Sequence, residues 1–207
     1  MMTKKIFLVL NILSLTALAD FPPYAGEPPA PTLTADQQAR VAKGELVYLL
    51  DNTKGETKEG SVAFRVNAKP DAVWKILSDF TKYADWSYKV YSAELYQDNG
   101  KGTVAVHFVA DVPMITMDYY VINNFSGKGW STWNTDHSKS NDCVLDTVGY
   151  WRTKAVDGNP NQTDVLQYGK LNLTRTCATG MFGVPGFDAH EMAEQTRKNL
   201  KSRAEAL

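Results

Sequence analysis

The chain has 207 residues, enough for one domain with a real core, and its 22 basic residues nearly balance 23 acidic ones for a net charge of −1. That balance, with no basic tract, argues against electrostatic binding of nucleic acid and electrostatic attachment to anionic lipid. Two cysteines without a Cys-x-x-Cys pair, and three histidines without ligand spacing, argue against zinc and dithiol redox chemistry.

Lys4 and Lys5 open the chain, Ile6 to Leu18 is a nearly continuous apolar run, and Ala17-Leu18-Ala19 closes it in a small-x-small pattern. Residues 1–19 read as a secretory signal peptide, because the run is shorter than the ~20 apolar residues of a membrane span and a polar segment follows. Removal after Ala19 takes Lys4 and Lys5 with it and leaves 20 basic against 23 acidic residues, a net of −3. The expected location is the periplasm or the exterior. Asp20 to Pro31 holds five prolines, so residues 20–33 are expected to form an extended tether, with the folded domain over 34–207.

Thr34-Ala-Asp-Gln37 has the form of a capping box and predicts a short helix to about Lys43, stopped by Gly44. Residues 45–50 and 61–66 are strand-like, with Val62, Phe64 and Val66 on one face of the second. Pro70 suits a first helical turn, and Ala72, Val73, Trp74, Ile76, Leu77 and Phe80 follow at helical spacing. A second short helix or turn holds Tyr83 and Trp86.

Six strands are then predicted over 88–97, 102–111, 114–124, 130–135, 144–156 and 164–175, separated by turn signals such as Asn99-Gly100 and Asp157-Gly158-Asn159-Pro160. After a glycine-rich loop over 180–187, Asp188 caps a terminal helix, with Glu191 expected to close a capping box and Lys198, Lys201 and Arg203 placed near its end. A single antiparallel sheet must cover one face, and this helix is the available cover. The expected fold class is α+β, a curved antiparallel sheet wrapped around a long C-terminal helix.

Folding 144–156 onto 164–175 about Pro160 sets Trp151 against Gly169, Gly149 against Leu171 and Cys143 against Cys177. The face with Leu145, Thr147, Gly149 and Trp151 against Gln167, Gly169, Leu171 and Leu173 is the drier one. This register predicts a Cys143–Cys177 disulfide, which an oxidising compartment would preserve.

The stretch Val66-Asn-Ala-Lys-Pro70-Asp-Ala-Val-Trp74-Lys-Ile-Leu-Ser-Asp79-Phe80-Thr-Lys-Tyr83-Ala-Asp-Trp86 resembles the opening of START-like (SRPBCC) domains. That superfamily includes the polyketide cyclases/dehydrases and the coenzyme-Q-binding proteins. The resemblance implies a helix-grip fold with a deep cavity between sheet and terminal helix, taking an apolar small molecule or lipid without a metal or organic cofactor. It implies Val73, Trp74, Leu77 and Phe80 as core. For the cavity it suggests Tyr83 and Trp86 near the mouth, Phe108, Met117 and Tyr119 on the following strands, and Trp151 and Leu171 on the last hairpin. Phe182 and Phe187, on the glycine-hinged loop, either tuck onto the core, gate the cavity, or touch a membrane or donor. Each of these residues is equally read as ordinary core packing.

No catalytic residue is nominated. Gly-x-Ser-x-Gly, phosphate-loop and His-Glu-x-x-His patterns are missing. His107 should face outward, about 13 Å along its strand from Asp111, too far for a dyad. Three functions remain open: an exported carrier or sensor for a hydrophobic molecule, a cyclase/dehydrase-like enzyme using the same cavity, or an interaction module whose cavity is filled by its own side chains.

Overall fold

In the computed structural model, which describes residues 21–53, 55–112, 115–179 and 188–207, the local signals of the sequence become elements in the expected order. The Thr34 side chain accepts from the Gln37 amide and the Gln37 side chain accepts from the Thr34 amide, so the capping box is complete and opens α1 (Ala35–Ala42). Strands β1 (Val47–Asn52) and β2 (Thr57–Val66) follow, then α2 (Pro70–Leu77) with proline in its first turn. A 3-10 turn (Phe80–Lys82) leads into α3 (Tyr83–Trp86).

Strands β3 (Val90–Asp98), β4 (Thr103–Val112), β5 (Ile115–Phe125), β6 (Trp130–Thr135), β7 (Val144–Val156) and β8 (Asn159–Leu173) meander antiparallel. A short α4 (Arg175–Thr179), not foreseen from the sequence, precedes the terminal α5 (Ala189–Ala204). The eight strands form one curved open sheet in the order β1-β2-β8-β7-β6-β5-β4-β3, so β1 and β3 are its edges.

The two faces differ in cover. On the concave face Phe64, Val66, Val106, Phe108, Val121, Trp151 and Val165 meet Val73, Leu77 and Phe80 from the α2 region and Leu200 and Ala204 from α5. On the convex face α1 lays Val41 against Val47 and Ala63. Residues 21–33 also lie on the convex face. Tyr24 meets the edge of Tyr150, which stacks on Tyr168, and Arg152 binds both the Pro28 carbonyl and, at 2.7 Å, the Glu27 carboxylate. The Phe21 amide donates to buried Asp146, and Lys170 stands over the Phe21 ring.

The β7–β8 register differs from the one expected. Trp151 faces Gln167 and Gly149 faces Gly169, a slip of two residues along β8. Asp157-Gly158 makes a tight two-residue turn between Val156 and Asn159, with Gly158 at φ +79°, and the ladder resumes only at Ala155–Thr163. Pro160 has no N–H for the ladder, so the irregularity falls on its side of the hairpin. A slip of two preserves the side-chain alternation, and the expected faces survive it except at the β7 bulge, where Val144 rather than Leu145 lies on the inner face with Leu173.

The Cys143–Cys177 disulfide is present, with a Cα–Cα distance of 5.6 Å. Its cause is not direct opposition in the ladder, which ends at Val144–Leu173. Thr174 donates to the Cys143 carbonyl at 2.9 Å, and the first turn of α4 carries Cys177 back over the strand end.

Candidate functional site

Helix α5 covers the sheet unevenly, and the unevenness makes a cavity. Ala189, Met192, Ala193, Thr196 and Leu200 share one helical face. Leu200 is fully buried in the core, while the smaller residues of the first half stand off from the sheet and roof a cavity of ≈ 290 Å³.

The floor explains the remaining space. Gly60 pairs with Gly169, Gly169 with Gly149, Gly149 with Trp133 and Trp133 with Asn123, a single cross-strand row from β2 to β5. Three glycines in that row leave the concave face without side chains, and the Trp133 indole lies across the gap, 3.6 Å from where a Cβ of Gly169 would stand. Gly60, Gly169, Trp133 and Asn123 all line the cavity.

Of the residues expected there from the sequence, Tyr83, Trp86, Phe108, Met117, Tyr119, Trp151 and Leu171 are brought together in the lining. Tyr83 and Trp86 stand deeper than a mouth position, at 9 % and 3 % exposure, packed on each other and, through Tyr83, on Phe108. Phe182 and Phe187 lie outside the described residues. Trp74 is core-flanking, its Nε1 donating to Thr153 Oγ1 at 2.6 Å.

His107 does face away from the cavity, but it has a carboxylate partner that spacing along its own strand concealed. Its Nε2 lies 2.5 Å from Asp118 Oδ1 on the neighbouring β5, and its ring stacks on Tyr120. The register sets His107 against Tyr120, two residues from Asp118, so the pair is a diagonal cross-strand contact on one face. The pair is on the convex face and takes no part in the cavity.

Among the polar residues of the lining, Thr147 and Gln167 were placed on the inner face from the sequence, while Lys58, Asn123 and His190 were not singled out. A signal for two of them was there. Asn123 ends the apolar row Met117, Tyr119, Val121, and Lys58 begins the row that ends in Val62, Phe64 and Val66.

The electrostatics are those of a largely apolar chamber with a polar rim. Burial pushes the Tyr119 phenol up to about 12. Burial likewise raises Tyr83, whose hydroxyl donates to the Leu77 carbonyl at 2.8 Å. The Lys58 ammonium donates to the Thr53 carbonyl at 3.0 Å, and burial lowers its pKa from the ordinary lysine value. At the rim, His190 Nε2 lies 3.0 Å from Asp51 Oδ1 and the His190 ring packs on Tyr48. Asp188 caps α5 by accepting from the His190 and Glu191 amides, and the Glu191 carboxylate accepts from Tyr88 on the opposite rim. The reciprocal use expected of Glu191 in a capping box is replaced by this tie. Among the described residues, no group of His, Cys, Asp and Glu is placed to hold a metal ion, and no helix is long and apolar enough to cross a membrane.

The family described as polyketide cyclase / dehydrase and lipid transport matches residues 58–207. Among solved structures, the chain is similar to a START superfamily protein from Mycobacterium smegmatis (14 % identity, TM-score 0.56, covering 72 % of this chain and 97 % of that one). It is also similar to the STAR-related lipid transfer protein from Xanthomonas axonopodis (16 %, TM-score 0.53, 77 % and 98 %). A third is the Zhui aromatase/cyclase from Streptomyces sp. R1128 (17 %, TM-score 0.50, 72 % and 88 %). At these identities the likeness is one of fold. No curated protein matches the sequence.

Proposed function

The chain belongs to the polyketide cyclase / dehydrase and lipid transport family, and from that premise we propose that it is an exported carrier or sensor that holds a hydrophobic small molecule or lipid between its sheet and α5. The observation that carries this reading is the chamber itself: ≈ 290 Å³ over a glycine floor, walled by Trp86, Phe108, Met117, Trp133 and Trp151. That volume is near the lower end of the ~300–1,000 Å³ typical of ligand pockets, and the apolar wall is the usual source of affinity there. A cavity of this size speaks against an interaction module filled by its own side chains.

The carrier reading is preferred to a cyclase-like enzyme because the phenols in the wall are poorly suited to proton transfer near neutral pH. Tyr119 is held up to about 12 and Tyr83 is bonded to a backbone carbonyl. The similar folds span both possibilities, a lipid transfer protein and an aromatase/cyclase. Export is supported by the signal-like residues 1–19 and by the disulfide, which an oxidising compartment maintains.

The test is mass spectrometry of solvent extracts from the mature protein, purified from its own compartment without detergent. One enriched apolar species at near-stoichiometric yield supports a carrier or sensor. Protein that is empty, and that takes up no apolar probe, removes the reading.

A further inference from the structure

We infer that the molecule held in the cavity carries a neutral oxygen acceptor, a ketone- or ester-type carbonyl, received by Asn123; this rests on the hydrophobic-ligand reading above. Asn123 is 8 % exposed, lines the cavity, and its Nδ2 has no hydrogen-bond acceptor among the described residues. A carboxamide brings two N–H donors, and folded chains rarely bury such donors unmet, because the water they leave behind is not replaced.

The two residues directly opposite Asn123 offer it no side-chain acceptor. Its cross-strand neighbours are Val104 on β4 and Trp133 on β6. Val104 is apolar, and the single N–H of Trp133 is directed to Thr147 Oγ1 at 3.4 Å. A second orphan donor, Trp86 Nε1, lines the same cavity. Two unmet donors call for an acceptor.

The acceptor is neutral because each of the three lining lysines is engaged away from Asn123: Lys89 is paired with Glu191 at 3.9 Å, and Lys170 stands over the Phe21 ring. Lys58 is on β2, four strands from β5 in the sheet order, at the side where Asp51, Asp188 and His190 gather. Two aspartates at that side repel a carboxylate, and at Asn123 its desolvation would cost more than that of a carbonyl, which gains most where unmet N–H groups lie in apolar surroundings. The ligand therefore enters with its carbonyl toward β5 and its hydrocarbon over the glycine floor.

The experiment uses the purified chain with N-phenyl-1-naphthylamine as a fluorescent occupant, displaced in turn by decane, 2-decanone and decanoate. The ketone is expected to bind about tenfold tighter than the alkane, the usual size of one added hydrogen bond. That ratio should fall toward one in Asn123→Leu, and in Asn123→Val should leucine not be accommodated. Equal binding of ketone and alkane by the unaltered chain overturns the inference without any variant, as does decanoate binding tightest or a ratio that survives Asn123→Leu. If neither the dye nor any decyl compound enters, the hydrophobic-ligand reading itself fails.

Discussion

Trp133 occupies the space that a side chain at Gly149 would need: a Cβ there would stand 2.6 Å from Trp133 Cε2, closer to Cζ2, and against the Tyr168 carbonyl. At Gly169, on the next strand, the nearest atom to a Cβ is 3.6 Å away, an ordinary contact. Gly149→Ala is therefore expected to cost about 1–3 kcal/mol of stability, the range for overpacking a closed site. Gly169→Ala should cost under about 1 kcal/mol. Urea unfolding of the two variants decides it, and equal losses would remove Trp133 from its place on Gly149.

The disulfide ties the end of the β7–β8 hairpin to α4 across a sequence separation of 34 residues. Cys143→Ser with Cys177→Ser should lower stability by about 3–4 kcal/mol through the freed entropy of the unfolded chain. Comparing melting with and without reductant checks the same number. A shift under about 1 kcal/mol would mean that the cluster of Ala110, Met117, Val144 and Leu173 holds this end unaided.

Most of the fold was legible because its signals are local. Thr34 and Gln37 announced α1, Pro70 announced α2, and the alternation of Val104, Val106 and Phe108 separated the inner face of β4 from His107. The hairpin register was not, since the two-residue turn at Asp157-Gly158 and the break beside Pro160 compete for the centre, and only packing chooses. The disulfide was foreseen for a reason that does not hold, because α4 was invisible in so short a segment. Alternation marked Phe108, Met117 and Tyr119 as inner-face residues, the family resemblance supplied the cavity with Tyr83 and Trp86, and Trp133 was not nominated. The polar Asn123 and Lys58 were not legible, since alternation assigns them to the inner face without saying whether they are paired there. The Asp118 partner of His107 needed strand pairing, which spacing along one strand cannot supply.

Alkaline conditions should unfold the protein through its phenols. Tyr24 and Tyr119 are raised from 10.0 to about 12, chiefly by burial, and Tyr83, Tyr96 and Tyr168 are raised further. The folded state keeps protons that the unfolded state releases, so this stability is complete below pH 10 and is lost as pH rises from 10 toward 12. Tyrosinate absorbance at 295 nm should lag a free-tyrosine titration and then rise together with loss of folded signal. A titration that tracks free tyrosine would show these phenols to be open to solvent.

The N-terminal segment should contribute to stability from outside the cavity. Tyr24 meets Tyr150 at a centroid distance of 5.3 Å, edge to face. Tyr24→Ala is expected to cost about 1 kcal/mol, and deletion of residues 21–33, which also frees Arg152 and Asp146, more than that. Chemical denaturation of both variants measures it, and no loss in either would make the segment a passive passenger on the sheet.

The aromatic pair beneath that segment has a position of its own. Tyr150 and Tyr168 face each other one residue along from Gly149 and Gly169, and the Tyr168 hydroxyl donates to Glu59, the neighbour of Gly60. The row of glycines that opens the chamber is also the line along which the sheet has least to stiffen it, since glycine weakens a strand interior. The stacked phenols and the proline-rich residues over them run behind that line like a splint. A chain shortened at this end would thus be altered at its far face as well. Its floor would bow under the roof of α5, and the first sign would be faster amide exchange at Gly149 and Gly169 rather than any missing contact to the occupant.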